Sequence, residues 1–356
     1  MDKFGKCFFV FTLLVLLLWL VPWTYRFVTA RSVKYPFMLY SGLIDNFAVL
    51  DHTDGETVYK DLAGNVYTEA QFDSILPLVY YRQLIAEERL PDTLQGIPVS
   101  PRTIQMGNFI FRTTPMTVNA HAVPLYFLLE SMSGRVDLEM PDDVSRVSRR
   151  MEFVDMATNT VKEEKSRLFT DMLQKKGFVF PARLVAGNPT TRKDYDEGYL
   201  MVDAAGKLFH VKQIKSRPYV RPIEVPEGID IQHLFLTEFK DRKSLAFLTD
   251  SENRFWVLRT KTYEFQRVEI PPFDPKTMSL SIVGNMFDWT VTLKDGAKEA
   301  LYAIDAYDCK CLASYERPVP KASLASSIGK YIFLVRMQFN SDISPDIFPV
   351  LKVGQW

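Results

Sequence analysis

The chain has 356 residues, with 43 Lys+Arg balanced by 43 Asp+Glu, and 47% of it is hydrophobic. Zero net charge argues against a nucleic-acid binder, which carries a basic bias or stripe. Three cysteines cannot form a disulfide framework, and the roughly 320 residues after the first apolar run suffice for one large domain or two smaller ones.

That first run, Phe8 to Val21, is almost unbroken hydrocarbon, preceded by Lys3 and Lys6. Trp19, Trp23 and Tyr25 crowd its far end, where amphipathic rings favour the membrane–water boundary. Cys7 to Tyr25 has the length of a bilayer-spanning helix, about 20 residues. A cleaved signal peptide would use Val28-Thr29-Ala30, but Pro22, Trp23, Tyr25, Arg26 and Phe27 make a bulky approach to that site. A lipoprotein needs its cysteine after the apolar run, and Cys7 precedes it. A segment apolar on every face is also a poor core helix for a soluble protein. The reading is a short tail at 1–6, an uncleaved transmembrane signal anchor at 7–25 and a juxtamembrane linker at 26–35.

Lys3 and Lys6 stand on one side, and Arg26, Arg31 and Lys34 on the other, so the positive-inside rule gives no orientation. A very short N-terminal tail is expected to stay in the cytoplasm. That places a single-pass protein in the bacterial inner membrane with its large C-terminal domain in the periplasm.

Residues 36–356 read as a mainly β, six-bladed β-propeller-like domain with helical insertions near 68–90 and 160–176. The alternative is an open array of antiparallel sheets, or two β-rich domains parting near Gly177. Phe47–Asp51 turns at His52-Thr53-Asp54-Gly55 into Thr57–Tyr59. Thr68 and Gln71 form a capping-box pattern, Pro77 suits the first turn of a second helix, and Leu78–Leu90 continues it. Leu125–Leu129 turns at Ser133-Gly134 into Arg135–Leu138. Thr160 and Glu163 make another box, with the helix running to Lys176 and Gly177 as its stop.

The second half repeats more regularly. Gly198–Asp203, Ser244–Asp250 and Phe287–Leu293 each turn back into an apolar strand, at Lys207–Val211, Arg254–Leu258 and Ala300–Ile304. Tyr331–Met337 turns at Asn340-Ser341-Asp342 towards Ile347–Leu351. Asp203, Asp250, Asp295 and Asp342 recur at the period of a four-stranded blade, about 40–50 residues. Tyr219–Val225 and Glu264–Ile270 fit outer strands, Asp230–Phe239 and Met278–Val283 opening strands. The last repeat lacks a fourth strand, and Pro36–Tyr40 is placed to supply it and close the ring.

No glycine-rich phosphate loop, G-x-S-x-G elbow or H-E-x-x-H site occurs. Asp194/Asp196/Glu197 and Asp250/Glu252 are the acidic groups that a propeller hydrolase would use, yet Asp is also what hairpin turns require. Gly187-Asn188-Pro189-Thr190-Thr191 reads as a connecting turn. Cys309 and Cys311 are spaced for one face of a strand, and packing is preferred over chemistry for them. His52, His121, His210 and His233 are widely separated. The basic groups Arg146/Arg149/Arg150 and Lys212/Lys215/Arg217/Arg221 read as solvated positions. No catalytic residue, cofactor-binding residue or metal ligand is assigned, and no nucleic-acid partner is expected.

Five stretches carry a resemblance: Trp19–Trp23, Phe37–Ser41, Leu76–Leu84, Gly177–Arg183 and Gly187–Thr190. Together they resemble an uncharacterised family, a domain of unknown function in single-span membrane proteins of Gram-negative bacteria, often encoded beside ABC transporter genes. The resemblance implies a membrane-anchored binding or scaffolding protein, an accessory subunit of an ABC transporter system with the transporter permease as partner. It carries no catalytic residue. The competing readings are a propeller hydrolase or lyase acting on an envelope glycan or peptide, and an extracytoplasmic ligand sensor.

Overall fold

The structure is a computed structural model and describes residues 3–29, 35–52, 55–132, 134, 137–296, 298–318, 324–339 and 343–354. The first element, α1 (Lys3–Thr29), is an apolar helix of 27 residues in which only Pro22 is buried. It measures about 40 Å at 1.5 Å per residue. Among the described residues it is the one helix long and apolar enough to cross a membrane.

β1 (Phe37–Ser41), β2 (Asn46–Asp51), β3 (Val58–Asp61) and β4 (Val66–Tyr67) form an antiparallel meander, the first sheet. α2 (Glu69–Ile75) opens on the expected box, with Gln71 N donating to the Thr68 hydroxyl and the Gln71 side chain returning to the Thr68 amide. The following helix, α3 (Tyr81–Ala86), begins later and ends earlier than expected. Pro77 disfavours helical geometry at Leu76, which sits at φ −121° and ψ 55°. A short hairpin, β5 (Thr93–Leu94) and β6 (Ile97–Pro98), leads to α4 (Pro101–Gly107), β7 (Phe109–Thr113) and α5 (Pro115–Val118).

β8 (Asp143–Val147) and β9 (Met151–Asp155) form a hairpin under α6 (Glu163–Lys175). Ser166, Phe169, Thr170 and Leu173 make the buried face of α6, at the three-and-four spacing of a helix. The box expected at Thr160 is not made. The N-cap is Lys162, because Thr160 is drawn into the preceding turn, its carbonyl accepting Asp155 N and its hydroxyl bonding Thr158 at 2.7 Å. Gly177 does end the helix, at φ +85°.

Three further meanders follow. The second sheet holds β10 (Leu184–Gly187), β11 (Tyr199–Val202), β12 (Leu208–Ile214) and β13 (Arg217–Ile223). The third holds β14 (Ile231–Leu236), β15 (Ser244–Asp250), β16 (Phe255–Arg259) and β17 (Phe265–Arg267). The fourth holds β18 (Ser279–Gly284), β19 (Asp288–Asp295), β20 (Lys298–Asp305) and β21 (Cys311–Arg317), with β7 added beside β18. The chain then forms α7 (Leu324–Ile332) and a hairpin of β22 (Val335–Gln338) and β23 (Val350–Val353).

The sheets stack face to face as blades do. Leu200 and Val202 of the second sheet pack with Ala246, Leu248 and Leu258 of the third. Phe247 and Val257 of the third pack with Ile282, Trp289 and Val291 of the fourth. Leu301 and Ala303 of the fourth then meet Met38, Tyr40, Phe47 and Val49 of the first. The opposite face of the second sheet is covered by Met151, Phe153, Phe169 and Leu173 of the β8–β9 hairpin and α6. The fold is mainly β and propeller-like, with helical insertions.

Three sequence expectations are corrected in detail. β1 does not complete a C-terminal sheet; it pairs with β2 from Phe37↔Leu50 to Ser41↔Asn46. A short local turn costs far less closure entropy than a pairing across most of the chain, and first and fourth sheets join through side chains and the Tyr40 N to Thr290 Oγ1 bond of 2.9 Å. Residues 331 and 332 belong to α7, not to a strand, because Leu324, Ile328, Tyr331 and Ile332 follow helical spacing. Among the described residues Leu125–Leu129 pairs elsewhere: Tyr126 bridges Ser145, and Glu130 just after it bridges Gln213. The turns expected around 53–54, 133–136 and 340–342 fall wholly or partly outside the described residues.

The recurring aspartates are not equivalent. Asp250 is fully buried; its Oδ1 accepts Glu252 N and Arg254 N, and its Oδ2 accepts Arg254 Nε at 2.6 Å and Trp256 Nε1 at 2.9 Å. Asp203 similarly accepts Ala205 N, Lys207 N and Val179 N. Asp295 is exposed at the end of β19. Asp250→Ala should therefore cost about 1–3 kcal/mol of stability by leaving Trp256 Nε1 and two backbone amides without their acceptor, while Asp295→Ala stays within about 0.5 kcal/mol. Urea denaturation of both variants checks this, and equal losses would refute it.

Candidate functional site: an apolar cavity between the first and fourth sheets

Where the first sheet meets the fourth, a cavity of about 480 Å³ opens. Its walls come from β1 and the turn after it, the 75–79 connection between α2 and α3, the start of β7, and the β18–β19 turn. Two glycines shape it. A Cβ at Gly284 would lie 2.4 Å from the Phe109 ring, so glycine lets β7 seat against the end of β18. A Cβ at Gly42 would lie 2.8 Å from Gln95 Nε2 and 3.3 Å from Asp288 Oδ2, at the polar end.

The roof is pinned from both sides. The Ser41 hydroxyl donates to Ile75 O at 2.5 Å, and Asn108 Nδ2 donates to Leu78 O at 2.7 Å. The other end of that amide, Asn108 Oδ1, is buried without a hydrogen-bond partner among the described residues. An acceptor left so costs about 1–3 kcal/mol unless a ligand or water satisfies it.

Asp288 is the carboxylate in the lining. It opens β19 after a tight turn in which Asn285 Oδ1 accepts both Phe287 N and Asp288 N, while Asn285 Nδ2 donates to Asp288 Oδ1 at 3.0 Å. Burial pushes its carboxyl up to about 6; the Asn285 bond opposes this and the charge of Asp305 adds to it. Burial, followed by the charge and hydrogen bond of Asp45, pushes the Tyr40 phenol up to about 12. The site is thus a mainly apolar slot with one acid whose carboxyl burial raises to about 6. It suits a mainly apolar molecule bearing a donor or a cation.

The acidic residues singled out in the sequence lie elsewhere. Lys193 Nζ reaches Asp196 Oδ1 and Glu238 Oε1, both at 2.7 Å, with all three side chains almost wholly buried. Asp196 Oδ2 also accepts the Ser131 hydroxyl and Gly198 N, and Glu197 pairs with Lys212. Asn188, from the turn at 187–191, donates to Glu238 Oε2 at 2.8 Å. This network fastens the second sheet to the third and leaves no acid poised for catalysis. Asp194 is exposed near Lys240, and Glu252 near Arg254.

The histidines stay apart. His210 is buried between Glu197 O at 2.6 Å and the Tyr263 hydroxyl at 2.8 Å, and burial, reinforced by the Lys212 charge, lowers it to about 4. His52 contacts Thr57 and His233 contacts Thr249. Cys309 and Cys311 do not share a strand face. Cys309 sits in the preceding turn at φ +59°, because Asp305 caps that turn through Tyr307 N and Asp308 N and delays β21 until Cys311. Burial pushes the Cys309 thiol up to about 11. Among the described residues, no group of three or more His, Cys, Asp and Glu is placed to hold a metal. Nothing in the sequence singled out Asn108, Asn285 or Asp288; the one local signal is the Asn285-x-x-Asp288 turn.

Fold and site together define a propeller-like β domain bearing an N-terminal apolar helix and a half-open, ligand-sized cavity. The chain belongs to the family described as domain of unknown function DUF4857, whose profile matches residues 37–304. None of the curated proteins compared with the sequence matches it. Among solved structures, it is similar to the β-propeller domain of Cps50 (Swd1) from Myceliophteria thermophila, at 13% identity and a TM-score of 0.28 over 56% of this chain and 57% of that one. It is similar to the Dos1 propeller at 12% identity and a TM-score of 0.30, over 54% of this chain and 46% of that one. The WD40 domain of SCAP from fission yeast gives 10% identity and a TM-score of 0.30, over 83% and 73%. The match thus spans about half the length of the first two solved chains. The superpositions are partial, and the fold assignment rests on this chain's own sheets.

The Asp288 carboxyl titrates near 6 when folded against an ordinary 3.8. The folded state therefore holds the proton longer, so stability from this group is fully present at the acidic end and declines as pH rises to about 6. Asp288→Asn abolishes the dependence. Denaturation from pH 4 to 7 should show the variant gaining on wild type by up to about 3 kcal/mol, at about 1.4 kcal/mol per unit. A difference independent of pH would contradict this.

Proposed function

We propose that this protein is a membrane-anchored binding module that captures a small, mainly apolar molecule carrying a cationic or hydrogen-bond-donating group. The observation that carries the reading is Asp288, the one carboxylate among the residues lining an otherwise largely apolar cavity. Pockets of about 300–1,000 Å³ with few convergent polar groups are the usual form of small-molecule sites. A hydrolase or lyase built on two carboxylates finds less support, because Asp288 is the cavity's carboxylate and the other candidate acids are bound elsewhere.

In this reading residues 7–25 cross the inner membrane of a Gram-negative bacterium, and the domain from residue 36 stands on the periplasmic side. The domain serves an integral partner, an ABC transporter permease, as the family resemblance suggests. The length and composition of α1 support the anchor.

Phenethylamine, an aromatic cation, tests the cavity in the full-length protein held in lipid nanodiscs. Binding should strengthen as pH rises through about 6 and weaken at least about tenfold, 1.4 kcal/mol, in Gly42→Leu, which fills the space beside Asp288. Equal binding by both proteins would defeat the assignment. Affinity capture with α1 intact tests the partner: a permease or its ATPase should co-purify reproducibly, and its consistent absence would remove the accessory role.

A further inference from the structure

We infer that α7 and the β22–β23 hairpin form a lipid-contacting collar that lies in the interfacial layer of the same bilayer that α1 crosses. The inference rests on α1 being a membrane anchor and adds a second, non-spanning contact.

α7 has two apolar faces of different kinds. Its small face, Ala325 and Gly329, meets α1: the Tyr25 hydroxyl donates to Ala325 O at 2.7 Å, and a Cβ at Gly329 would lie 2.7 Å from the Tyr25 ring. Its large face carries Leu324, Ile328, Tyr331 and Ile332, which share one helical stripe and are 85%, 52%, 66% and 61% exposed. The hairpin that follows adds further exposed apolar side chains. Val335↔Val353 and Met337↔Leu351 are cross-strand pairs on one face, and Val353 and Leu351 are 77% and 55% exposed. Arg336↔Lys352 lies on the other face.

Position decides the occupant. The collar grips α1 where aromatic residues mark the end of the span, with Phe339 edge-on to Trp19 at 5.2 Å and Phe333 beside Tyr25 at 5.2 Å. Trp19 to Tyr25 covers about 9 Å of helix at 1.5 Å per residue, matching the roughly 5–10 Å to which interfacial helices sink. The exposed stripe is therefore continuous with a helix whose sides already require hydrocarbon. A long, exposed basic side chain such as Lys352 suits the headgroup layer.

Spin labels on the full-length protein in nanodiscs test this. Ile328→Cys, Val353→Cys, Leu14→Cys and Val66→Cys are each labelled in a Cys7→Ser, Cys311→Ser background, Cys309 being buried. Labels at Ile328 and Val353 should show an oxygen-to-nickel-chelate accessibility ratio several-fold above that at Val66, an exposed position of the first sheet. Water-like ratios at both, with a lipid-like ratio at Leu14, would overturn the collar and leave the anchor standing. A water-like ratio at Leu14 would overturn the anchor itself. Shielding of Ile328 and Val353 from both reagents would mean a protein partner and would also overturn the collar.

Discussion

The docking of β7 against β18 is the constraint on which the rest of the molecule depends. Five residues from the first half pair with the inner strand of the last sheet, from Phe109↔Gly284 to Thr113↔Leu280. Their rings then reach into the third sheet: Phe109 stacks on Phe239 at 4.2 Å, and Phe111 meets Phe247 at 4.9 Å. Such aromatic pairs add about 0.5–1.5 kcal/mol each beyond their buried area. Without β7 the edge of β18 would expose unpaired amides and carbonyls, and the cavity would lose the wall formed by Phe109 and Ile110. One strand therefore fills the space where two blades converge and frames the site.

What the sequence disclosed is what local chemistry writes. The hairpins ending in Asp203 and Asp250 were legible because alternating apolar residues and a turn aspartate specify them within about ten residues. The Thr68 box and the Gly177 stop were legible for the same reason. Thr160 failed as a cap since a neighbouring aspartate turn competed for it, a contest that spacing alone does not reveal. The pairing of β7 with β18 leaves no local mark, and Phe109–Thr113 lies outside every strand expected from the sequence. The cavity suffers most, because Asn108 and Asp288 come to line one space only through that long-range pairing.

The acidic cluster at 194–197 shows the converse. In sequence it resembles catalytic carboxylates; in space Asp196 and Glu238 share one cation, Lys193. Buried ion networks of this kind add little net stability over an apolar core, yet removing one member is costly. Their effect is to fix which sheet faces which. Asp288 reverses the pattern: it lies inconspicuously at the head of a strand, bonds the neutral Asn285 amide, and has its acidity set by burial. The informative charge is the one whose neighbours do not cancel it.

The contact between α1 and α7 joins residues 300 positions apart, Tyr25 and Ala325. Under the proposed anchor reading, α1 is synthesised and placed in the membrane before α7 exists, so the Tyr25 ring gains its glycine-lined seat only after the sheets between them have been made. The helix of an unfinished chain then presents a different surface from that of a finished one.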